Sequence, residues 1–364
     1  MTNTEPAANP AQGPRPPRTD WREECEPGED DLFREFADYI RGQQEKLLRD
    51  DPGVAERTRG GLLRGFHAKP HAGLLADFEV LPDLPTHARF GVFAEPRVFK
   101  AVVRFSNGTP TLQSDRKPEP RGIGIKLLGV PGKKLLRGQE DARTQDFLAT
   151  SHSVTSTVNH VRQFIAFVKA GEDGMLRMPY RLARAVGFRE ARRILWALLR
   201  TVILPKVRSV ATEVYEGTAP IKLGPYAVKF TVRPAEGTEP PPRRRPRGRP
   251  DFLREELAGR LSKGDLLFDF VVQFFVDDKL TPIEDTSVRW EPEVTPFVKV
   301  ARLRIARGEL DGGLGEKVNR LSFTPWHAIE EHRPLGNVMR ARRFAYEASS
   351  ANRKHDPEPD GLPL

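Results

Sequence analysis

The sequence predicts an α+β fold: one closed antiparallel β-barrel of about eight strands, with helices inserted between the strands and flanking them. Three observations carry this expectation. Short apolar or alternating runs rich in Val, Phe and Ile recur between about Leu75 and Ile305. Helical periodicity is confined to segments before, between and after those runs, and closing the sheet removes its unpaired edges. With 364 residues, 38% of them hydrophobic and 30% charged, the chain can bury a sizeable core, and collagen-like or wholly disordered classes are excluded. Length alone would allow two domains, but the strands follow one another too continuously to be divided. The expected organisation is a leader over 1–30, a single domain over 31–353 with its barrel at about 60–305, and a tail over 354–364.

The opening stretch MTNTEPAANPAQGPRPPRTD is polar and Pro-rich without an apolar centre, so it reads as a disordered leader and neither as a secretory signal nor as an anchor. A helix follows over Asp31–Leu48, where Leu32, Phe33, Phe36, Tyr39, Ile40 and Leu47 repeat at helical spacing after an acidic start. Strands are expected at 76–81, 99–106, 122–129 and 145–150. Residues Gly174 to Leu204 read as a helix with an apolar side opposite many arginines, ended by Pro205. Strand character returns at 226–233, 266–276 and 297–305. The segment TEPPPRRRPRGRP at 238–250 can only be an exposed loop. After the Pro-punctuated FTPWHAIEEHRPLG comes a terminal helix over about Val338–Asn352. No internal repeat is present.

The net charge of +9 and a pI near 9.7 favour anionic partners such as phosphates, carboxylates and acidic membranes. Cys25 is the only cysteine, which excludes an internal disulfide framework and a cysteine-rich zinc site and suits a reducing cytoplasm, the expected location. No run approaches the roughly 20 apolar residues that cross a bilayer, in keeping with a mean hydropathy of −0.52. The eight histidines form no HExxH pair, which speaks against zinc chemistry. No Gly-rich phosphate loop follows a strand, so nicotinamide binding is not expected.

Two segments draw attention. In LRGFHAKPHAG, Arg64 and His67 stand just ahead of the first strand, where a histidine could project into the barrel interior; a solvated loop histidine accounts for the same residues. In the terminal helix Arg342, Tyr346 and Arg353 fall at i, i+4 and i+11, on one face. A guanidinium beside a phenol favours its ionised form, and a phenolate suits ferric haem. A packed tyrosine between two surface arginines has the same spacing. Outside these segments, the basic amphipathic helix 174–204 suits an anionic lipid surface or a fatty carboxylate, or packs on the barrel with its arginines solvated. The loop RRRPRGR at 243–249 offers polyanion affinity without aromatics for stacking, so specific nucleic-acid recognition is not expected.

Taken together, the residues resemble the haem-dependent catalases and their smaller catalase-related branch. LRGFHAK at 63–69 is similar to that family's R-x-x-H-A-K segment, and VVRFSNG at 102–108 to its R-F-S strand. PRGIGIKLLG at 120–129 is similar to its R-G-F-A-x-K-F strand, and RRFAYEASSANR at 342–353 to its proximal helix, in the same order. The resemblance spans roughly Gly61 to Arg353. It implies a catalase-like barrel holding haem b, with Tyr346 as the iron ligand and Arg342 bonding its phenolate. It further implies His67 as the distal acid–base group, oriented by Ser106, and Arg64, Arg104 and Arg353 as partners of the haem propionates. The activity implied is heterolysis of a peroxide O–O bond, of catalase or peroxidase type, on hydrogen peroxide or a lipid hydroperoxide. The alternatives are rearrangement of fatty-acid hydroperoxides, as in allene oxide synthesis, and a non-enzymatic anion-binding protein using loop 243–249. Further copies of the chain are compatible partners. One departure stands out: ARTQDFLAT at 142–150 lacks the family's distal asparagine, with Arg143 or Thr144 at its place and Gln145 or Asp146 as the nearest substitutes.

Overall fold

The structure of the chain, a computed structural model, describes residues 13–50, 53, 63–151, 157–172, 174 and 176–362. Nine strands form one antiparallel sheet: β1 Pro70–Val80, β2 Val98–Asn107, β3 Arg121–Leu128, β4 Thr144–Thr150, β5 Tyr215–Gly217, β6 Ile221–Leu223, β7 Tyr226–Pro234, β8 Leu266–Phe274 and β9 Val298–Ile305. Their order is β5-β4-β3-β2-β1-β9-β8-β7-β6. A further pairing of β5 with β7, Tyr215 opposite Val232 and Glu216 opposite Thr231, closes eight strands into a barrel and leaves β6 as a side strand on β7.

Alternation decides what each face does. On β1 the inward residues are Ala72, Leu74, Ala76, Phe78 and Val80; on β2 they are Ala101, Val103 and Phe105; on β3 they are Ile123, Ile125 and Leu127. The centre is aromatic, with Phe270 5.1 Å from both Phe147 and Phe230 and 5.4 Å from Phe78, ring centre to ring centre. Such pairs add about 0.5–1.5 kcal/mol each to the area they bury. The outward residues of the same strands, Val102, Arg104 and Ser106 on β2 and Gly122, Gly124 and Lys126 on β3, are buried as well or nearly so, because helices cover that face.

Seven helices surround the barrel among the described residues: α1 Glu29–Asp50, α2 Val161–Gly171, α3 Met178–Val186, α4 Phe188–Leu198, α5 Phe252–Leu261, α6 Gly312–Arg320 and α7 Asn337–Arg353. Helix α1 buries Phe33, Phe36 and Ile40 against Val338, Ala341 and Ala345 of α7. Helix α6 sets Val318 on Val102 and Leu128, the outer side of β2 and β3.

Four expectations are corrected. The stretch 174–204 is two helices and a terminal π turn, because Gly187 takes φ +85° and ends α3 before α4 begins. Helices α2, α5 and α6 and the three-residue strands β5 and β6 fall in segments read as connections. The leader is tied down from Arg15 onward: the Arg15 and Arg18 amides donate to Val294 and Phe275 carbonyls at 2.9 Å, and Glu23 accepts from Arg333 at 2.6 Å and Arg340 at 3.0 Å. Its acidic residues are the counter-charges of an arginine-rich body. Finally, His67 lies outside the barrel, on the outer face of β2 and β3, and not in its interior.

Candidate functional site

A small cavity of about 50 Å³ lies between the outer face of β2, β3 and β4 and the helix α7. The strands supply Arg104 and Ser106, then Gly122 and Gly124, then Leu148 and Thr150; α7 supplies Arg342 and Tyr346. Arg64, Phe66 and His67 come from the segment before β1, and Phe323 from the chain after α6.

Local bonds hold each side in place. The Leu63 carbonyl accepts from Gln44 of α1 at 2.5 Å, and the Gly65 amide donates to Ser349 Oγ of α7 at 3.0 Å. These bonds bring the His67 segment alongside the terminal helix. His67 has φ +57°, a left-handed conformation uncommon for a residue with a side chain. It is held there by its amide bond to Gly108 O at 3.1 Å and by Arg104, which donates to its carbonyl at 2.8 Å. The imidazole Nδ1 lies 3.1 Å from Ser106 Oγ. Gly122 makes room for it, since a Cβ there would overlap Nδ1 and Cε1 of the ring. From α7, Arg342 donates to the Tyr346 phenol oxygen at 2.8 Å and also contacts Met339 Sδ. The spacing of four residues thus places a guanidinium directly on the phenol.

Arg64, Arg104 and Arg353 converge on the C-terminal end of α6. Arg64 donates to the carbonyls of Asn319 (2.9 Å) and Leu321 (2.5 Å), Arg104 to Asn319 Oδ1 (3.0 Å), and Arg353 to the carbonyls of Asn319 (3.2 Å) and Leu321 (3.0 Å). Helix carbonyls are partial negative charges only, and none of the three is in an ion pair with a carboxylate among the described residues. Burial, then the neighbouring Arg353 and Arg104, pushes Arg64 well below the usual guanidinium range. Burial and Arg353 bring Arg104 to about 9, and burial brings Arg353 to about 10. Three guanidiniums lowered in this way form a site short of negative charge. Burial, with Arg104 and Arg342 nearby, likewise lowers His67 to about 3, so its imidazole is neutral at physiological pH.

These residues fit a haem. The buried Arg64 Nε has no acceptor, which leaves a donor free for a carboxylate. The arginine group lacks counter-charge, and the walls between it and Tyr346 are apolar or glycine: Phe66, Gly124, Leu148 and Phe323.

All seven residues singled out in the sequence therefore gather at one place, His67, Ser106, Arg64, Arg104, Arg342 and Tyr346 on the cavity wall and Arg353 behind Arg64 and Arg104. Gln145 and Asp146 do not reach it. Gln145 points to the other side of β4 and accepts from the Ile329 amide at 3.0 Å, while Asp146 pairs with Lys126 at 2.7 Å. Thr144 bonds to His327 and to Glu358. The polar β4 residue that faces the cavity is Thr150, which is opposite Gly122 in the ladder. Counting by twos outward from Leu148 finds it in the sequence. His152 lies outside the described residues.

No family model matches the chain. It is 29% identical over 268 residues to a catalase-related peroxidase of Mycolicibacterium paratuberculosis, covering 68% of this chain and 76% of that protein. A fungal catalase superposes with a TM-score of 0.63 at 15% identity over 83% of this chain, and catalase A from Saccharomyces cerevisiae with 0.63 at 14% over the same share. A bacterial catalase gives 0.59 at 15%. The chain spans about three fifths of the length of these solved catalases, 62%, 63% and 59% respectively.

Proposed function

We propose, for a chain that is catalase-like in fold and in sequence, the activity of a haem-dependent peroxidase that cleaves the O–O bond of hydrogen peroxide or an organic hydroperoxide. The observation that carries it is the pairing, across one cavity, of the Arg342–Tyr346 bond with the His67–Ser106 bond. Haem b would be held by the Tyr346 oxygen on its iron and by Arg64, Arg104 and Arg353 on its propionates. When bound, it supplies the redox chemistry that no side chain of the site possesses.

The protein's own residues account for the proton traffic and the selectivity of the site. Arg342 donates to the Tyr346 oxygen, so that oxygen keeps its lone pairs for a metal. Neutral His67 accepts a proton at one ring nitrogen while Ser106 fixes the other. Because Arg104 and Arg342 disfavour the imidazolium, the proton is returned readily to the departing oxygen. Two carboxylates on the arginine group would offset that field and make His67 more basic. Phe66, Leu148 and Phe323 exclude water around the reacting atoms.

The test is the visible spectrum of the purified protein reconstituted with haemin, beside Tyr346→Phe. A high-spin ferric spectrum of phenolate type, with stoichiometric haem, is expected for the parent and its loss or alteration for the variant. An unchanged spectrum in Tyr346→Phe would overturn the ligand assignment. Failure of the parent to hold haem would overturn the function.

A further inference from the structure

Of the eight large apolar side chains the described chain leaves exposed, five lie between Leu176 and Leu204: Leu176, Tyr180, Phe188, Trp196 and Leu204. Phe188 is 79% exposed and Trp196 55%. They do not result from loose packing. Helices α3 and α4 have a well-filled inner side, where Met178, Leu182, Ala191, Ile194 and Leu198 join one buried cluster with Val158 and Ala170. The exposed rings are on the opposite sides of the same helices, and single exposed apolar residues need no explanation where a run of five does.

What surrounds these rings identifies their partner. Arg184, Arg189, Arg192 and Arg200 are exposed on the same two helices and the π turn after them, and none is paired with a carboxylate among the described residues. The one acid of α3 and α4, Glu190, is taken by Arg193 at 2.8 Å. Two of the guanidiniums lie against exposed rings, Arg200 5.0 Å from Trp196 and Arg184 5.9 Å from Tyr180. A second copy of this chain, with a net charge of +9, would bring arginine against arginine. A face of unpaired arginines around protruding aromatic rings complements an anionic phospholipid bilayer: phosphates and acidic headgroups for the guanidiniums, the headgroup–acyl boundary for the rings. No helix of the described residues is long and apolar enough to cross a membrane, so the helices would lie on it.

We propose that α3 and α4 form a peripheral docking face for anionic phospholipid bilayers, with Phe188 and Trp196 inserted at the boundary and Arg189, Arg192 and Arg200 on the headgroups. The face is independent of the cavity and of the activity proposed for it.

The experiment is co-sedimentation of the full chain with sucrose-loaded vesicles of phosphatidylcholine alone or with 30 mol% phosphatidylserine, with tryptophan emission read in parallel. Binding is expected only to the anionic vesicles, weakening as salt is raised. Emission should shift to the blue, and brominated lipid should quench it. Of the four tryptophans Trp196 alone is exposed, so Trp196→Phe should abolish the shift. Each arginine removed should weaken partition about fivefold, so Arg189→Ala, Arg192→Ala and Arg200→Ala together should weaken it by about a hundredfold. Circular dichroism of that variant checks that the fold is intact. Equal binding to neutral vesicles, undiminished binding by the folded triple variant, or no binding with Phe188 and Trp196 buried in a dimer would each overturn the proposal.

Discussion

His67 shows how much a single residue depends on the absence of another. Its imidazole occupies space that exists only because position 122 has no side chain, and its backbone sits in a left-handed conformation held by Gly108 and Arg104. Gly122→Ala should therefore displace the ring without touching the arginines or Tyr346. The expected outcome is full haem loading with peroxide consumption reduced by roughly 10²-fold, within the range that a positioned acid–base group contributes. Stopped-flow kinetics on the reconstituted protein would measure it, and a variant as fast as the parent would remove His67 from the mechanism. Ser106→Ala should act in the same direction more weakly, because it frees one ring nitrogen but leaves the backbone strain that aims the ring.

At the scale of elements, β3 and β4 carry both the cavity wall and a buried charge cluster beside it. Lys126 is paired with Asp146 at 2.7 Å and with Glu358 of the C-terminal tail at 2.6 Å, all three almost without exposure. Burial, with Glu358 nearby, raises Asp146 to about 7 although Lys126 opposes it. Lys126→Met would leave two buried carboxylates facing each other, at a cost of about 3–5 kcal/mol. A matching fall in the denaturant midpoint is expected, partly recovered when Glu358→Gln is added. This cluster also explains why sequence reading misplaced a residue. Asp146 was a candidate with Gln145 only because both lie next to the place of the family's asparagine; it does share its strand face with Leu148 and Thr150, but Lys126 claims it. The longer strands were legible because Val, Ile and Phe alternate along them. The pairs of residues that close the barrel through β5 were not, since three residues carry no period. Helix α7 was legible with its tyrosine and arginines, whereas the break at Gly187 was not, because the apolar spacing continues across it and only the backbone turns.

For the whole molecule, pH acts through histidines that serve no common site. His67, His71 and His327 are lowered to about 3 and His332 to about 4, in each case chiefly by burial. Between those values and the ordinary 6.5, the unfolded chain binds protons that the folded chain does not. Their contribution is complete above about pH 6.5 and is lost as pH falls toward 4. Each histidine costs at most about 2 kcal/mol between pH 7 and pH 5, and four of them approach the whole stability of an ordinary domain. Asp146 and Glu358 shift in opposite directions, so the histidines set the trend. Thermal unfolding should give a markedly lower midpoint at pH 5 than at pH 7; a flat profile would show that these rings are hydrated.

The order in which the barrel can be made follows from its ladder. Strand β1 needs β9 as its second neighbour, and Asp77 must wait for Arg304, 227 residues later. At ordinary ribosomal speeds that is roughly ten to forty-five seconds of synthesis during which one edge of the nascent sheet stays bare. His67 leaves the ribosome before this interval and Tyr346 after it, so the two walls of the cavity first meet once everything between them has been made. Any group the cavity holds must enter after residue 346 has been made, and a translation arrested at residue 300 should yield a chain that chaperones retain and haemin does not bind.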